Sequence, residues 1–435
     1  MAAETIFALA SGAGVAGVAV VRVSGPGARE ALERLCGDVP PARMAVLRTI
    51  TDPRSDQKID SGLILFFPGP ASFTGEDVAE LQVHGSRAVV RDLLRCLGDI
   101  PGLRAAQAGE FTERAFRNGR MDLLDVEALG DLLAAETLMQ ARFAHETQGR
   151  LRQAAQSWRG RVLELRALTE AYIDFADEDD IARSGGATAD GAAQNLVDEL
   201  KQAIASFERA EKVRRGFRVA ILGAPNAGKS SLLNALARRD VAIVSEQAGT
   251  TRDVIEVHLE LDGYPVILFD TAGIRETEDA VEREGIRRAR ERAADSDLRL
   301  WLSSIDEPYV AAVADCIVVR TKRDLIDSHP LRPNMGLVIS ARTGDGIEEL
   351  MSFLIGEAGK AMSLGKDVVV GHERQRGVLI LACEALYRFL AAPEDALEIR
   401  SEELRQAEIV LEALIGRIGF EDVLGEIFSR FCIGK

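Results

Sequence analysis

Residues 1–118 alternate short apolar runs with turn residues. Val18-Ala19-Val20-Val21-Arg22-Val23 is rich in β-branched side chains and stops at Ser24-Gly25-Pro26-Gly27. Leu63-Ile64-Leu65-Phe66-Phe67 stops in the same way at Pro68-Gly69-Pro70, so both runs read as strands. A helical segment over 89–97 lies among them, which makes this stretch an α+β domain. From 119 to 213 the spacing lengthens. Leu129, Leu132 and Leu133, then Leu196, Leu200, Ile204 and Phe207, recur at the intervals of one helix face, with no convincing strand between them. Over 214–358 a strand at 217–222 opens a βα alternation, the pattern of a parallel sheet covered by helices. Helical spacing returns over 359–435, through Leu386, Phe389 and Leu390, then Leu411, Leu414, Ile415 and Ile418. A helical domain in two pieces, with an α/β domain inserted between them, explains this order most simply, because insertion is tolerated where chain ends lie close together.

Composition narrows the class. At 435 residues the chain fits about three domains. Hydrophobic residues at 47% and charged residues at 28% exclude a disordered chain, a collagen-like repeat and a small disulfide scaffold. The 53 basic and 69 acidic side chains leave a formal charge of −16. That argues against wholesale wrapping of nucleic acid, which needs local Lys and Arg, while leaving room for a basic patch. Cys36, Cys96, Cys316, Cys383 and Cys432 are dispersed and form no C-x-x-C pair, as expected of reduced thiols in a cytosolic compartment. The uncharged stretch 5–21 follows Glu4 and is broken by Gly12, Gly14 and Gly17, so it reads as neither signal peptide nor membrane span. A cytoplasmic protein is expected.

The strongest chemical signal is Gly223-Ala224-Pro225-Asn226-Ala227-Gly228-Lys229-Ser230, a G-x-x-x-x-G-K-[ST] phosphate loop between the strand at 217–222 and a helix expected over 231–238. Its glycines let backbone N–H groups turn onto phosphate oxygens. Lys229 offsets β- and γ-phosphate charge, and the Ser230 hydroxyl ligates Mg2+. Asp270-Thr271-Ala272-Gly273 follows the apolar run 266–269, placing Asp270 by the metal and the Gly273 amide by the γ-phosphate. Between these motifs, Thr251 of Gly249-Thr250-Thr251 supplies a second hydroxyl to Mg2+. Ser340-Ala341-Arg342 follows Leu337-Val338-Ile339, the place of a loop that backs the guanine base. Thr321-Lys322-Arg323-Asp324 stands where a GTPase normally has Asn-Lys-x-Asp. Asp324 accepts hydrogen bonds from guanine N1–H and N2–H, which adenine lacks, whereas Thr321 in place of Asn is expected to weaken base binding. Position 274 is Ile where many small GTPases orient water with Gln, so another group must take that role.

At this point the residues resemble a known family, the MnmE (TrmE) tRNA-modification GTPases. The resemblance spans the chain. It is carried by Ser72-Phe73-Thr74-Gly75-Glu76-Asp77, Glu80-Leu81-Gln82-Val83-His84-Gly85, Gly109-Glu110-Phe111-Thr112-Glu113-Arg114-Ala115-Phe116, the phosphate loop, Gly249-Thr250-Thr251-Arg252-Asp253 and the closing Phe431-Cys432-Ile433-Gly434-Lys435. It implies an N-terminal folate-binding and dimerisation domain over 1–118, a helical domain over 119–213 and 359–435, and an inserted Ras-like G domain over 214–358. Members act as a homodimer and as a heterotetramer with an FAD-containing subunit, MnmG (GidA), on tRNA. The pair adds a (carboxymethyl)aminomethyl group at C5 of the wobble uridine. The one-carbon unit comes from a tetrahydrofolate derivative, in the 5-formyl or 5,10-methylene form, and the FAD stays on the partner.

The same resemblance implies site residues. The GTP contacts extend to Ser231 and to the loop Ser245-Glu246-Gln247-Ala248-Gly249-Thr250-Thr251. Asn226, Ser245, Gln247 and Thr250 would ligate a K+ where G domains dimerise, and Glu282 would position the attacking water through another water. Arg22, Glu80, Arg120 and Lys435 would hold folate, with Arg120 standing where the family commonly has Lys, a change of geometry at constant charge. Cys432 would be a catalytic thiol in the tail. From the residues alone, Glu80 reads as a surface strand carboxylate and Glu282 as a charge at a solvated helix start, while Cys432 reads equally as a bystander. A GTP-switched ribosome assembly factor is the runner-up function, and the folate-like N-terminal motifs with the Cys432 tail argue against it.

Other motifs carry less. Gly12-Ala13-Gly14-Val15-Ala16-Gly17 fits a dinucleotide fingerprint, but a strand pattern follows it rather than a helix, so a glycine hairpin is expected. The acids at 177–180 read as a solvated helix end. Between Ser86 and Arg120 seven Arg face four acids, which suits surface ion pairs or a contact for tRNA or the folate tail.

Overall fold

The computed structural model describes residues 4–174, 182–239, 241–243, 256–270, 296–308, 315–328, 336–363, 368–416, 428, 431 and 434. The chain divides into two compact units, Met1–Gly130 with Glu412–Lys435, and Asp131–Leu411. Among the described residues no helix is long and apolar enough to cross a membrane.

In the first unit the β-rich runs pair into one sheet. Its strands are β1 (Thr5–Leu9), β2 (Ala16–Ser24), β3 (Val46–Thr51), β4 (Lys58–Phe67), β5 (Val78–Gly85) and β6 (Leu103–Ala105), in the order β3-β4-β5-β2-β1-β6. Neighbours are antiparallel except β1 and β6. The glycine stretch joins β1 to β2 as the expected hairpin. Period-two alternation sorts the side chains. Val21, Val23, Ile64, Phe66 and Leu81 pack against Leu32, Leu35, Leu93 and Leu97 of the helices Ala28–Cys36 and Arg87–Gly98. Burying each such side chain stabilises the fold by ~1.5–3 kcal/mol. The other face carries Arg22 and Glu80, which the register of β2 on β5 sets directly opposite each other. Near the C-terminus, Phe428 and Phe431 pack on Leu123 and Val126. Gly434 has φ +100°, and a Cβ there would stand 2.0 Å from the Leu9 carbonyl oxygen, so only glycine lets the tail lie against the end of β1.

The second unit contains the helices Leu138–Asp174, Ala182–Ala205, Phe207–Arg215 and Glu373–Ala391. The apolar spacing through Leu200 and Phe207 is interrupted at Ser206. Its hydroxyl donates to the Ala203 carbonyl at 2.6 Å and accepts the Val370 amide at 3.0 Å, so the run forms two helices. Trp158 is buried, with its indole N–H on Glu199 Oε2 at 3.2 Å.

The βα alternation forms a second sheet of β7 (Phe217–Gly223), β8 (Glu256–Leu261), β9 (Tyr264–Asp270), β10 (Leu298–Ser304), β11 (Ile317–Thr321) and β12 (Leu337–Val338). The order is β12-β11-β10-β7-β9-β8, parallel except for β8 against β9. Val219, Ile221, Leu268, Leu300 and Leu302 form its core with Leu233 and Leu236 of the helix Lys229–Ala237 and with Leu350 and Leu354 of the helix Ile347–Ala361.

On the outer strand β8, His258 Nδ1 lies 2.7 Å from Glu136 Oε2, and its Nε2 lies 3.8 Å from Glu256. Glu256 and Glu136 outweigh partial burial and push the imidazole pKa up to about 9. The folded value exceeds the unfolded one of ~6.5, so the stabilisation is complete below pH ~6.5 and is lost as pH rises through about 9. The thermal midpoint is therefore expected to fall more steeply between these pH values in wild type than in His258→Gln. Equal slopes in the two proteins would mean that the pair contributes nothing.

Candidate functional site

Strand β7 ends in the phosphate loop. Gly223 adopts φ +144°, and a Cβ there would sit 2.3 Å from the Leu302 carbonyl oxygen of β10, so the chain can leave β7 along this path only as glycine. Asn226 (φ +63°) and Gly228 (φ +94°) continue the turn into the helix Lys229–Ala237, whose N-terminal amides therefore face the loop. In the sheet, β7 lies between β9 and β10. This is the switch point beyond whose strand ends open α/β sheets bind ligands.

The Lys229 ammonium folds over the loop and donates to the carbonyls of Gly223 and Ala224, at 2.8 and 2.9 Å. Ser230 Oγ lies 3.4 Å from Asp270 Oδ2, and Asp270, at the end of β9, is only 5% exposed. A hydroxyl beside a buried carboxylate is a donor set of hard oxygens, which fits Mg2+. On the far side of the cavity, Asp324 Oδ1 accepts the Ser340 hydroxyl at 2.7 Å and Oδ2 pairs with the Arg342 guanidinium at 2.6 Å. The Ser340 hydroxyl, with Arg342 adding its charge, holds the Asp324 carboxyl below the usual carboxylate range. Ionised, it is purely an acceptor, suited to the two N–H donors of a guanine edge. Ser340 is itself held, since its Oγ accepts the amides of Arg342 and Thr343 at 3.3 and 3.2 Å.

Thr321 is 4% exposed at the end of β11 and donates its hydroxyl to the Ala227 carbonyl at 2.7 Å. Thr321, where Asn was expected, thus ties the turn at 321–324 to the phosphate loop, which the sequence alone does not reveal. Arg320, the residue before it, is another that sequence reasoning misses. It is buried and donates to Ser303 Oγ at 2.7 Å and to the Glu307 carbonyl at 3.0 Å, bracing β11 against the turn after β10. Its one signal is a charge at the end of the apolar run Ile317-Val318-Val319. Lys229, Ser231, Trp301, Thr321, Asp324 and Ala341 are among the residues lining a single cavity of about 980 Å³, at the upper end of the size of small-molecule sites. Lys322, with φ +60°, lies on the same wall and reaches towards Asp306 at 3.5 Å.

Ser245, Glu246, Gln247, Ala248, Gly249, Thr250, Thr251, Thr271, Ala272, Gly273, Glu282, Cys432 and Lys435 lie outside the described residues, as do the acids at 177–180.

In the first unit, Arg22 donates from Nε and a terminal nitrogen to Glu80 Oε1, at 3.1 and 2.9 Å. Its guanidinium stands 5.0 Å from the centre of the Phe73 ring and 5.9 Å from that of Phe111. Ser24 Oγ bonds Thr74 Oγ1 at 2.6 Å and Glu76 Oε2 at 2.8 Å, fixing the loop that bears Phe73. Arg120 is exposed and packs on that loop, where a Cβ at Gly75 would meet its Cγ at 3.3 Å. A carboxylate, a guanidinium group and an aromatic ring therefore gather on one face of the sheet and its flanking loop, with the Arg120 stem against that loop. Of the seven arginines between Ser86 and Arg120, Arg95, Arg104, Arg114 and Arg117 form ion pairs, with Asp52, Glu110, Glu76 and Glu113 among their partners. Cys36, Cys96, Cys316 and Cys383 are free thiols, and burial pushes Cys36 up to about 12 and Cys383 to about 11, which suppresses the reactive thiolate.

A family model described as the N-terminus of the GTP-binding protein TrmE matches residues 5–120, and one described as the MnmE helical domain matches residues 123–432. A tRNA modification GTPase MnmE of Rhizobium johnstonii is 49% identical over 441 residues, covering 100% of each chain. The protein of that name from Sinorhizobium medicae is 50% identical over 441 residues, covering 99% of each. Among solved structures, Aquifex aeolicus Era bound to GDP and aluminium fluoride is 24% identical, covers 41% of this chain and 69% of that one, and has a TM-score of 0.25.

Proposed function

The chain belongs to the MnmE family of tRNA modification GTPases, and from that premise we propose that this GTP hydrolase modifies C5 of the tRNA wobble uridine together with an FAD-containing partner of the MnmG type. The observation that carries the hydrolase reading is one cavity bordered by Lys229, Ser230 and Asp324, with Asp270 at its metal side. Lys229 neutralises phosphate charge, Asp324 accepts the guanine edge, and Ser230 with Thr251 holds Mg2+. When bound, that ion offsets the charge of the β- and γ-phosphates. Asn226, exposed on the phosphate loop, supports a K+ site completed by Ser245, Gln247 and Thr250, which stands in for a cationic side chain. Glu282 orients the attacking water.

In the N-terminal part, Glu80 is the two-point acceptor for a pterin N–H and amino group, and Arg22 both orients it and lies against Phe73. Arg120 and Lys435 meet the anionic tail of the tetrahydrofolate, and Cys432 acts as the catalytic thiol. The outward side chains Leu47 and Leu63, cross-strand partners on β3 and β4, are exposed, as is Val18 of β2. Exposed apolar side chains on this sheet favour association of two copies through it. The folate-binding, helical and inserted G domains meet at 118, 213 and 358. With a net charge of −16, much of the tRNA affinity comes from the partner. Nucleoside mass spectrometry of tRNA from cells lacking this chain is expected to show loss of the C5 group, and unchanged wobble uridines would overturn the proposal.

A further inference from the structure

The contact between Thr321 and the phosphate loop has a consequence for how the base is read. A threonine hydroxyl has one hydrogen to donate and otherwise only accepts. Here that hydrogen is committed to the Ala227 carbonyl, at 2.7 Å and out of contact with water. Purine N7 is an acceptor, so it needs a donor that Thr321 no longer has. An asparagine amide at this position has two N–H groups and can serve a loop carbonyl and N7 together. The nearest partners of the neighbouring cations are carboxylates: Lys322 Nζ lies 3.5 Å from Asp306, and Arg342 sits on Asp324 Oδ2, the side that meets N1 and N2.

We infer that Thr321 makes this site read guanine through its Watson–Crick edge alone, by way of Asp324, and leaves N7 unread. The inference rests on the reading of the cavity as a guanine-nucleotide site. Thr321 is then a positioning residue that also sets which edge of the base is read. Its hydroxyl holds the two loops at a fixed distance, while its lack of a second donor removes a contact that all purines share. Discrimination against adenine is retained, because it resides in Asp324.

The test compares GTP with 7-deaza-GTP, in which N7 is replaced by C–H, in Mg2+-containing competition binding to the full-length protein. Wild type and Thr321→Ser are expected to bind the two within about twofold of each other. Thr321→Asn is expected to prefer GTP by about tenfold, the size of one hydrogen bond of ~1.4 kcal/mol. A tenfold preference for GTP already present in wild type would overturn the inference, and so would a folded Thr321→Asn that binds both equally. The wild-type comparison decides the matter even where the Asn variant does not fold. If GTP itself does not bind, the guanine reading falls, and this inference with it.

Discussion

Lys229→Ala lowers the affinity for Mg-GTP by about two to four orders of magnitude in titration calorimetry, with little change in the thermal midpoint. The ammonium is the one side-chain cation of the phosphate loop, and its reach is set by the carbonyls of Gly223 and Ala224. Contact with two phosphate groups is worth ~1.5–3 kcal/mol each as charge-assisted hydrogen bonds, hence about 10² to 10⁴ in binding. The fold loses little, because the two carbonyls border the open cavity and can be hydrated. A loss of less than tenfold would remove Lys229 from phosphate recognition, and a collapse of the midpoint would assign it to folding instead.

Asp324→Asn reduces GTP affinity by about a hundredfold and inverts the preference towards xanthosine triphosphate. The carboxylate accepts two N–H groups, and an amide can accept only one while presenting a donor of its own. Xanthine carries a carbonyl oxygen where guanine has its 2-amino group, so the amide donor finds an acceptor there. The Arg342 pair is lost as well, but Arg342 is 74% exposed, and surface pairs contribute little. Competition among GTP, ATP and xanthosine triphosphate reads the outcome. Unchanged GTP affinity would mean that the base is recognised elsewhere.

The phosphate site is legible in the chain because its parts are contiguous. A strand, a glycine turn and a helix follow one another over 217–237, and each announces itself by local period. The Arg22–Glu80 pair is different. Each residue alone is an ordinary half-buried strand side chain, and only the register of β2 on β5, 58 residues apart, joins them. The tie from Thr321 to Ala227 spans 94 residues, so the substitution looks from the sequence like a simple loss. The break at Ser206 is equally hidden, since apolar spacing carries through it and the group that helps fix it, the Val370 amide, lies 164 residues further on. Motif logic therefore finds the chemistry that neighbouring residues share, and misses what the sheets bring together.

The chain has two tryptophans, and they stand in unlike surroundings. Trp301 lines the cavity at the phosphate loop, whereas Trp158 is buried with its indole N–H on Glu199. The protein thus carries its own optical reporter. Emission from Trp301 is expected to respond to what enters the cavity, and Trp158→Phe silences the other emitter. Loading and discharge of unlabelled nucleotide then become visible in a stopped-flow trace, with no dye attached to disturb the base.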